Sequence, residues 1–289
     1  MKTSVVLASC RAPEVVAEAV RRLLPQCVAA GAELIVARSV PAGASDAEAI
    51  FQGCVMVPCA PNASLPSIRG AGLEAAKGEF VLLTEDNCIP RAGWIPQMLT
   101  GFAAGGAIVG GTMGNLRTDR AVDAAAFFAE YGFFGESRTA PGSGVSPLVT
   151  GANVGYSRAV VGEAAGWAKA GEWEGTIHDR LIAAGARVVL IREAVVDQHL
   201  RHEVAAYCRD RFDHAREYAS VRRQSWKPVT RFIMTAATAA LPPLQTWRAW
   251  KHAGRSAPAS FIRALPLTVL FFGAWAIGEA AGYLGQEER

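Results

Sequence analysis

Residues 81–90 read VLLTEDNCIP, and this stretch decides how the rest of the chain is interpreted. Its apolar start predicts a buried β-strand that ends at Glu85, Asp86 and Asn87. In open parallel sheets, ligands bind beyond the carboxyl ends of the strands. Two carboxylates and an amide at such an end offer the hard oxygen ligands that Mg²⁺ or Mn²⁺ prefers. A simpler alternative stays open, because Pro90 also fits a turn in which Asp86 or Asn87 caps the next helix.

The sequence before this stretch alternates between strand and helix signals. Pro25 is expected to end the first helix, and Gly78 is expected to cap the second. The predicted strands cover residues 3–9, 32–37, 54–58 and 79–84, and the predicted helices cover 14–24 and 67–77. This order predicts an α/β fold with a mostly parallel central sheet and helices on both faces.

The sequence after this stretch is less regular. Residues 107–109 predict a short strand, and the Gly-, Ser- and Pro-rich residues 135–147 predict a mobile loop. Helix signals return at 174–184, and residues 186–191, ARVVLI, predict the last strand. A basic, aromatic helix is expected at 203–223.

The composition changes after Trp226, which divides the chain into predicted domains at 1–226 and 227–289. The second domain contains two apolar segments, at 229–247 and 260–284, joined by a basic linker. Apolar stretches of this length indicate helices that associate with a membrane.

Neither apolar segment is an uninterrupted membrane span. A spanning helix needs about 20 apolar residues, but Pro242 and Pro243 break the first segment and Glu279 lies in the second. If the first segment crossed, the basic linker at 248–255 would lie on the far side, whereas basic loops tend to stay cytoplasmic. We therefore expect a helix pair that lies on, or dips into, the cytoplasmic face of the inner (plasma) membrane. A two-span hairpin and a soluble core are the alternatives.

The bulk properties exclude some classes of protein. The chain has 289 residues, a net charge of +3 and a sequence pI near 8.6, which is too mild a balance to indicate binding of nucleic acid.

The six cysteines form no C-x-x-C pair and predict reduced, mostly buried thiols in the cytosol. Residues 7–10, LASC, resemble a lipoprotein cleavage box, but the apolar run before Cys10 is too short for a signal peptide. A first strand is the preferred interpretation.

Taken in order, five segments of the chain resemble the family 2 glycosyltransferases. The resemblance covers roughly residues 3–225 and is carried by SVVLAS, AELIVA, IRGAGLEAAKGEFVLLTEDNCIPRAGWI, VTGANVGYSR and RLIAAGARVVLIREAVVDQH. It implies the GT-A fold of the nucleotide-diphospho-sugar transferases. It also implies a UDP- or GDP-sugar donor and a divalent cation, Mg²⁺ or Mn²⁺, as cofactor.

The resemblance assigns the metal and diphosphate site. The family's D-x-D-like motif reads Glu85-Asp86-Asn87 here, so Asp86 and Asn87 are the expected metal ligands and Glu85 is expected to face the nucleotide. His199 matches a histidine that often completes the metal site. A structural histidine after the last strand is the alternative for that residue. Arg69 lies where the family often has an arginine near the phosphates, although a solvated helix arginine is equally open.

The nucleotide is not identified by the resemblance. The family typically ends its second strand with an aspartate that reads the base or ribose, but this chain has Ala37-Arg38-Ser39 there. Asp46 is a candidate substitute from the following loop. The identity of the base therefore stays open.

The resemblance also points to a catalytic base and to an acceptor loop. An inverting transfer needs a carboxylate to take the proton of the acceptor hydroxyl. Glu174 falls where the family's base is expected, with Glu172 and Asp179 as competitors. Gly151 and Asn153 match the loop beside the donor sugar, although a glycine-containing turn fits them equally.

The sequence as a whole predicts an inverting, metal-assisted transfer of a single sugar to a membrane-proximal acceptor, either lipid-linked or a glycan, in the bacterial cell envelope. Residues 222–226, RRQSW, lack the Q-x-x-R-W spacing of processive synthases. A degenerate, non-catalytic protein with the same fold, acting as a scaffold at the membrane, is the alternative. A nucleotidyltransferase is disfavoured because residues 9–13, SCRAP, contain no glycine.

Overall fold

The computed structural model of the chain describes residues 2–39, 49–137 and 148–285. Asp46 and most of the predicted mobile loop lie outside these ranges. The chain divides into two compact units. The first unit comprises Met1–Gly114 with Ala140–His199, and the second comprises Asn115–Thr139 with Leu200–Arg289. This division differs from the predicted domain boundary after Trp226, because the helix that precedes Trp226 belongs to the second unit.

Eight strands and ten α-helices form the described chain. The strands are β1 (Thr3–Ser9), β2 (Glu33–Ser39), β3 (Val55–Cys59), β4 (Phe80–Glu85), β5 (Cys88–Pro90), β6 (Ile108–Asn115), β7 (Asn153–Ser157) and β8 (Val188–Gln198). The helices are α1 (Pro13–Ala30), α2 (Leu65–Ala75), α3 (Trp94–Ala103), α4 (Ala121–Glu130), α5 (Arg158–Lys169), α6 (Glu174–Ala183), α7 (Val204–Arg222), α8 (Pro228–Ala237), α9 (Leu241–His252) and α10 (Pro258–Leu284).

The strands form a single mixed sheet in the order β3-β2-β1-β4-β7-β6-β8-β5. β3, β2, β1 and β4 are parallel neighbours. β7 runs antiparallel to β4 and β6, and β5 runs antiparallel to β8. The predicted α/β class is confirmed, but the sheet is mixed rather than mostly parallel, because hydrophobic runs do not encode strand direction.

Both faces of the sheet are covered by helices. Along β1, side chains alternate between the two faces. Val6 and Ala8 share an apolar cluster with Ile68 of α2. Val5 and Leu7 point to the opposite face and are also fully buried, which is the pattern of a strand enclosed on both sides.

Two helix ends differ from the sequence expectation. α1 continues through Pro25 to Ala30 and ends at Gly31, which adopts the left-handed conformation. Pro25 is exposed, so water can hydrate the carbonyl that its ring leaves without a helical partner. Gly78 does not cap α2. Its N–H donates to the Ser4 hydroxyl, and a Cβ on it would lie 2.5 Å from the Ser4 nitrogen.

The two-residue link between β4 and β5 determines how the sheet curves. Glu85 and Cys88 are three Cα steps apart, a reach of at most about 11 Å. These strands are nevertheless four places apart in the sheet order, which in a flat sheet would span about 19 Å. The sheet therefore curls until β8 and β5 return to the carboxyl end of β4. Asp86 and Asn87 lie at this junction.

The second unit is a bundle in which α10 packs along α7 and α4. Gly278 and Gly282 allow close approach, because a Cβ on either would clash with a backbone oxygen of α7. Glu279 is buried in the same contact and accepts hydrogen bonds from Trp275 Nε1 (2.8 Å) and the Tyr283 hydroxyl (2.5 Å). These bonds explain how an acid is accommodated in an otherwise apolar helix.

Within the described residues, α10 is one helix that is long and apolar enough to cross a membrane, judged by length and composition alone. Of its most apolar 18-residue window, 39% is buried inside the protein. A core helix of a soluble protein meets the same criterion.

Candidate active site

A buried arginine joins two carboxylates at the carboxyl end of β4. Arg69 projects from α2, Glu85 is the last residue of β4, and Glu174 is the first residue of α6. Arg69 Nη2 contacts Glu85 Oε1 at short range, and Arg69 Nη1 lies 2.7 Å from Glu174 Oε2. Three residues that the sequence singled out separately therefore form one ionic cluster.

The guanidinium of Arg69 lies directly over Gly151. A Cβ at Gly151 would lie 2.7 Å from Arg69 Cζ, so any other residue would displace the guanidinium. The Gly151 N–H also donates to Glu174 Oε1 at 3.3 Å. The Trp173 ring lies 5.7 Å from Arg69 Cζ and adds a cation–π contact. Gly151 is thus required by the packing of the site.

The environment keeps Glu174 ionised. Burial raises the pKa of Glu174, but the Arg69 guanidinium outweighs burial and lowers this pKa to about 2. Burial likewise opposes the charge of Arg69, and Glu85 and Glu174 together raise its pKa above the ordinary arginine value. The Glu174 side chain is 25% exposed, so it remains accessible to a reactant.

Tyr156 and His178 lie behind this cluster. The Tyr156 hydroxyl and His178 Nε2 are 2.8 Å apart, and both side chains are buried. Burial lowers the pKa of His178 to about 4, and burial raises the pKa of Tyr156. A neutral imidazole therefore supports the first turn of α6, which presents Glu174.

Asp86 is held by the loop that follows β1. Its Oδ2 accepts from the backbone N–H groups of Cys10 and Arg11, both at 3.2 Å. Its Oδ1 lies 2.6 Å from Arg11 Nη1. The Asp86 side chain is 1% exposed, whereas that of Arg11 is 38% exposed. Arg11 is thus the solvent-facing member of the pair.

His199 returns from the end of β8 to the same place. Its Nε2 lies 2.9 Å from the Asp86 carbonyl oxygen, and its backbone N–H donates to the Asn87 carbonyl oxygen. Because a carbonyl oxygen only accepts, Nε2 must carry a proton in this contact. A backbone carbonyl on the second ring nitrogen is the usual support of a metal-binding histidine.

Asp86, Asn87 and His199 have side chains of the types that bind divalent cations. Asp86, Asn87 and His199 are joined through backbone carbonyl oxygens, and their carboxylate, amide and imidazole groups are donor types compatible with Mn²⁺ or Mg²⁺. In the described ranges, no group of three His, Cys, Asp or Glu side chains is arranged to hold a metal ion. Arg11 supplies the positive charge beside Asp86 in this structure.

Known structures share this architecture. The mannosyltransferase PcManGT from Pyrobaculum calidifontis, solved with GDP-Man and Mn²⁺, aligns over 99% of this chain and 88% of its own. The TM-score is 0.57 and the sequence identity is 14%. The chain has the GT-A fold.

Another GT-A structure was also found. Glucosyl-3-phosphoglycerate synthase from Mycobacterium tuberculosis, solved with Mn²⁺, UDP and phosphoglyceric acid, aligns over 74% of this chain and 76% of its own, with 18% identity and a TM-score of 0.47. No protein-family model matches the sequence, and no curated protein matches it.

The Asn153 side chain forms hydrogen bonds within the protein rather than facing a cleft. Its Nδ2 donates to the carbonyl oxygens of Thr112 and Ala194, both at 2.9 Å, and its Oδ1 accepts from Trp94 Nε1 at 2.9 Å. The side chain is fully buried. These bonds fasten β7 to β6 and β8, whereas the sequence placed Asn153 beside the donor sugar.

The acids that compete with Glu174 lie elsewhere on α6 and before it. Glu172 Oε1 pairs with Arg180 Nη1 at 2.6 Å, and Asp179 is exposed. Glu174 is the acid among these three that contacts Arg69 and Gly151. Gly70, which follows Arg69 on α2, leaves no room for a side chain, because a Cβ there would lie 2.5 Å from the Lys169 nitrogen.

Several residues beside these clusters were not predicted from the sequence. Arg11 is one of them, although its charge directly after the first strand is a usable signal. Arg38 is buried, lies 5.5 Å from the Phe51 ring, and donates to the Arg11 carbonyl oxygen. No sequence signal identifies the contact between Tyr156 and His178, because the fold alone brings them together.

Proposed function

We propose that this protein is a glycosyltransferase that moves one sugar from a nucleotide-diphosphate donor to an acceptor hydroxyl, with inversion at the anomeric carbon. The observation that carries this proposal is Arg69, held between Glu85 and Glu174 at the carboxyl end of β4. Arg69, a cation that can bind a diphosphate, thus lies beside Glu174, a carboxylate that can accept a proton, on a GT-A fold.

Two arginines are placed to bind the diphosphate. Arg11 pairs with Asp86 and faces solvent, and Arg69 lies deeper between its two acids. Guanidinium groups bind phosphate oxygens through paired hydrogen bonds, which suits a leaving group that gains negative charge. Arg38 completes a row of arginines at this edge of the sheet, which supports an anionic donor.

Glu174 is proposed as the general base. The acceptor oxygen attacks the anomeric carbon, the bond to the diphosphate breaks with its electron pair on the leaving oxygen, and Glu174 takes the acceptor proton. While Arg69 holds Glu174, the low pKa makes it a weak base. A diphosphate that draws Arg69 toward itself raises the basicity of Glu174, so donor binding prepares the proton transfer.

A divalent cation, Mg²⁺ or Mn²⁺, is proposed as the cofactor, with Asp86 and His199 as the groups that would hold it and Asn87 beside them. When bound, it supplies positive charge that stabilises the departing diphosphate. The Mn²⁺ in the structure of the Pyrobaculum calidifontis enzyme supports this assignment. Arg11 must release the Asp86 carboxylate for the cation to bind.

The acceptor and the cellular location are proposals that rest on the second unit. A UDP- or GDP-sugar donor is proposed, and a lipid-linked or glycan acceptor at the cytoplasmic face of the plasma membrane follows from the apolar C-terminal segments. Membership of family 2 and a role in the bacterial cell envelope belong to the same proposal. GDP-Man in the Pyrobaculum calidifontis structure supports a guanine nucleotide as the first donor to test.

The test is release of nucleoside diphosphate from a panel of UDP- and GDP-sugars with Mn²⁺. The wild type is expected to turn over at least one donor, and Asp86→Ala and Glu174→Gln are expected to lose about 100-fold or more of that rate. Glu172→Gln is the matched control, because Glu172 pairs with the half-exposed Arg180. Its rate should stay within about twofold of the wild type.

Two results would contradict the proposal. Equal rates for Glu174→Gln and Glu172→Gln would remove Glu174 as the base. Absence of turnover with every donor, together with a rise in melting temperature on nucleotide addition, would instead indicate a binding protein. That interpretation is favoured by the hydrogen bonds that both oxygens of the Asp86 carboxylate accept from Cys10 and Arg11.

A further inference from the structure

The outward face of α8 and α9 is apolar, whereas their inward side carries hydroxyl groups. Phe232 is 71% exposed and Trp247 is 57% exposed. The exposed apolar set at helical spacing comprises Val229, Phe232, Ile233, Leu244 and Trp247. This is the reverse of a surface helix in a soluble protein, which turns its apolar stripe toward the core.

The inward polar groups of these helices are satisfied within the protein. Thr235 and Thr246 donate to carbonyl oxygens four residues earlier, and Thr238 is buried with a bond to the Thr235 carbonyl. The polar side therefore has no need of water. The apolar side chains at 229, 232, 233 and 247 are each more than half exposed.

α10 continues this exposed apolar surface. Its outward positions include Ile262, Val269, Leu270 and Ile277. Between α9 and α10 runs an open groove of about 530 Å³, whose lining includes Thr246 and is otherwise apolar, with Trp247, Trp250, Leu265 and Val269 among its residues. The volume and the lining suit a hydrocarbon chain.

The segment that carries this surface is positively charged. Residues 218–278 contain eight Lys or Arg residues and no Asp or Glu. Lys227 and Lys251 are exposed near the two ends of the α8–α9 segment, and Arg255 and Arg263 are exposed further along. An apolar face bordered by cations matches the interface of an anionic bilayer, where acyl chains lie beneath negative headgroups.

The same charges argue against a second copy of the chain as the partner. In a symmetric dimer the same patch meets itself, so these cations would be brought together without acids from their own segment. Insertion across the bilayer is also disfavoured, because α7 packs along α10 and exposes charged residues such as Arg209, Asp213 and Glu217.

We propose that the second unit lies on an anionic membrane with the outward faces of α8, α9 and α10 in the acyl region, and that the groove between α9 and α10 holds a lipid chain. This deepens the membrane location given under Proposed function. It does not depend on transfer chemistry, so vesicle binding and sugar turnover can fail separately.

The test is co-sedimentation of the full chain with vesicles of phosphatidylcholine alone or with 30% phosphatidylglycerol. Wild type is expected to bind the anionic vesicles at least tenfold more tightly than the neutral ones. Phe232→Asp with Ile233→Asp should weaken that binding at least tenfold. Val28→Asp is the control, because Val28 is 73% exposed on α1 of the first unit. Its binding should equal wild type.

A second measurement addresses the groove. Phosphatidylglycerol with brominated acyl chains should quench tryptophan fluorescence, and Trp247→Phe should lose a measurable part of that quenching while keeping its vesicle affinity within about threefold. Equal binding by the Phe232/Ile233 double variant and the wild type would overturn the membrane assignment. Concentration-dependent dimerisation without vesicle binding would overturn it in favour of a second copy. Quenching unchanged in Trp247→Phe would remove the groove from the proposal.

Discussion

Arginines have different surroundings in the first unit and in residues 218–278 of the second unit. In the first unit, Arg11 and Arg69 each contact carboxylates that the fold itself supplies. In the second unit, the cations between Tyr218 and Gly278 lie in a segment with no acid, beside apolar side chains that face outward. The fold itself therefore balances the charge of Arg11 and Arg69, whereas the sequence from 218 to 278 supplies no acid to balance its cations.

The largest expected effect comes from removing the cation that Glu85 and Glu174 share. Arg69→Met leaves the buried Glu85 and the partly buried Glu174 without their shared cation, which should cost about 3–5 kcal/mol in the free energy of unfolding at pH 7. Urea denaturation followed by circular dichroism measures it. The cost should shrink toward pH 5, because acids that lack a counter-charge take up protons.

The control for this prediction is Arg180→Met. Arg180 pairs with Glu172 but is half-exposed, and such surface pairs contribute about 1 kcal/mol or less. If Arg69→Met and Arg180→Met lower the free energy of unfolding equally, the ion pairs of Arg69 contribute no more than a surface pair. The contrast between the two units would then be wrong.

The second prediction concerns the packing of α10 against α7 in the second unit. Gly278→Ala places a methyl group 2.2 Å from the Phe212 carbonyl oxygen and should lose up to about 3 kcal/mol, because neither helix can move without losing its packing. Gly273→Ala, in the same helix with nothing within 4 Å, should gain about 0.5–1 kcal/mol from helix propensity. Equal effects of the two changes would mean that α7 and α10 are not in close contact.

The third prediction concerns pH. The pKa of His178 is about 4 in the folded protein, whereas an unfolded histidine has a pKa near 6.5. The unfolded state therefore binds a proton first, and stability falls as pH drops from about 6.5 to 4. Between pH 7 and pH 5 this amounts to about 2 kcal/mol.

His178→Gln isolates that contribution. Its amide can still bond to the Tyr156 hydroxyl, but it does not titrate. The loss of stability between pH 7 and pH 5 should be smaller in this variant than in wild type, as measured by urea titrations at both pH values. An identical slope would show that His178 is accessible to protons in the folded state.

The sequence was most informative where one residue type carries a strong local preference. The end of β4 at Glu85 was predictable because an apolar run stops at charged residues, and α6 was predictable from its first acid to the glycine that follows it. The expectation that the first helix ends at Pro25 was wrong, because a proline on the solvent-facing side of a helix destabilises it less than a buried one. The direction of β7 was not predictable, because its partner strands lie far away in the sequence.

The sequence singled out three residues of the ionic cluster at the end of β4 but did not predict how they pair. Arg69, Glu85 and Glu174 were singled out for separate reasons, and the fold alone shows that one guanidinium serves both acids. Asn153 has the chemistry of a sugar ligand, yet the register of three strands turns its amide into the sheet. Side-chain type defines what a residue can do, and topology decides which partner it meets.

The short crossing from β4 to β5 has a consequence for how this protein can vary. Residues 86 and 87 close the distance between the middle of the sheet and its last strand, so one inserted residue would shift Cys88 and Ile89 out of register with β8 and reverse their faces. The dipeptide should therefore accept a change of side chain more readily than a change of length, and engineering of the site is best done by replacement.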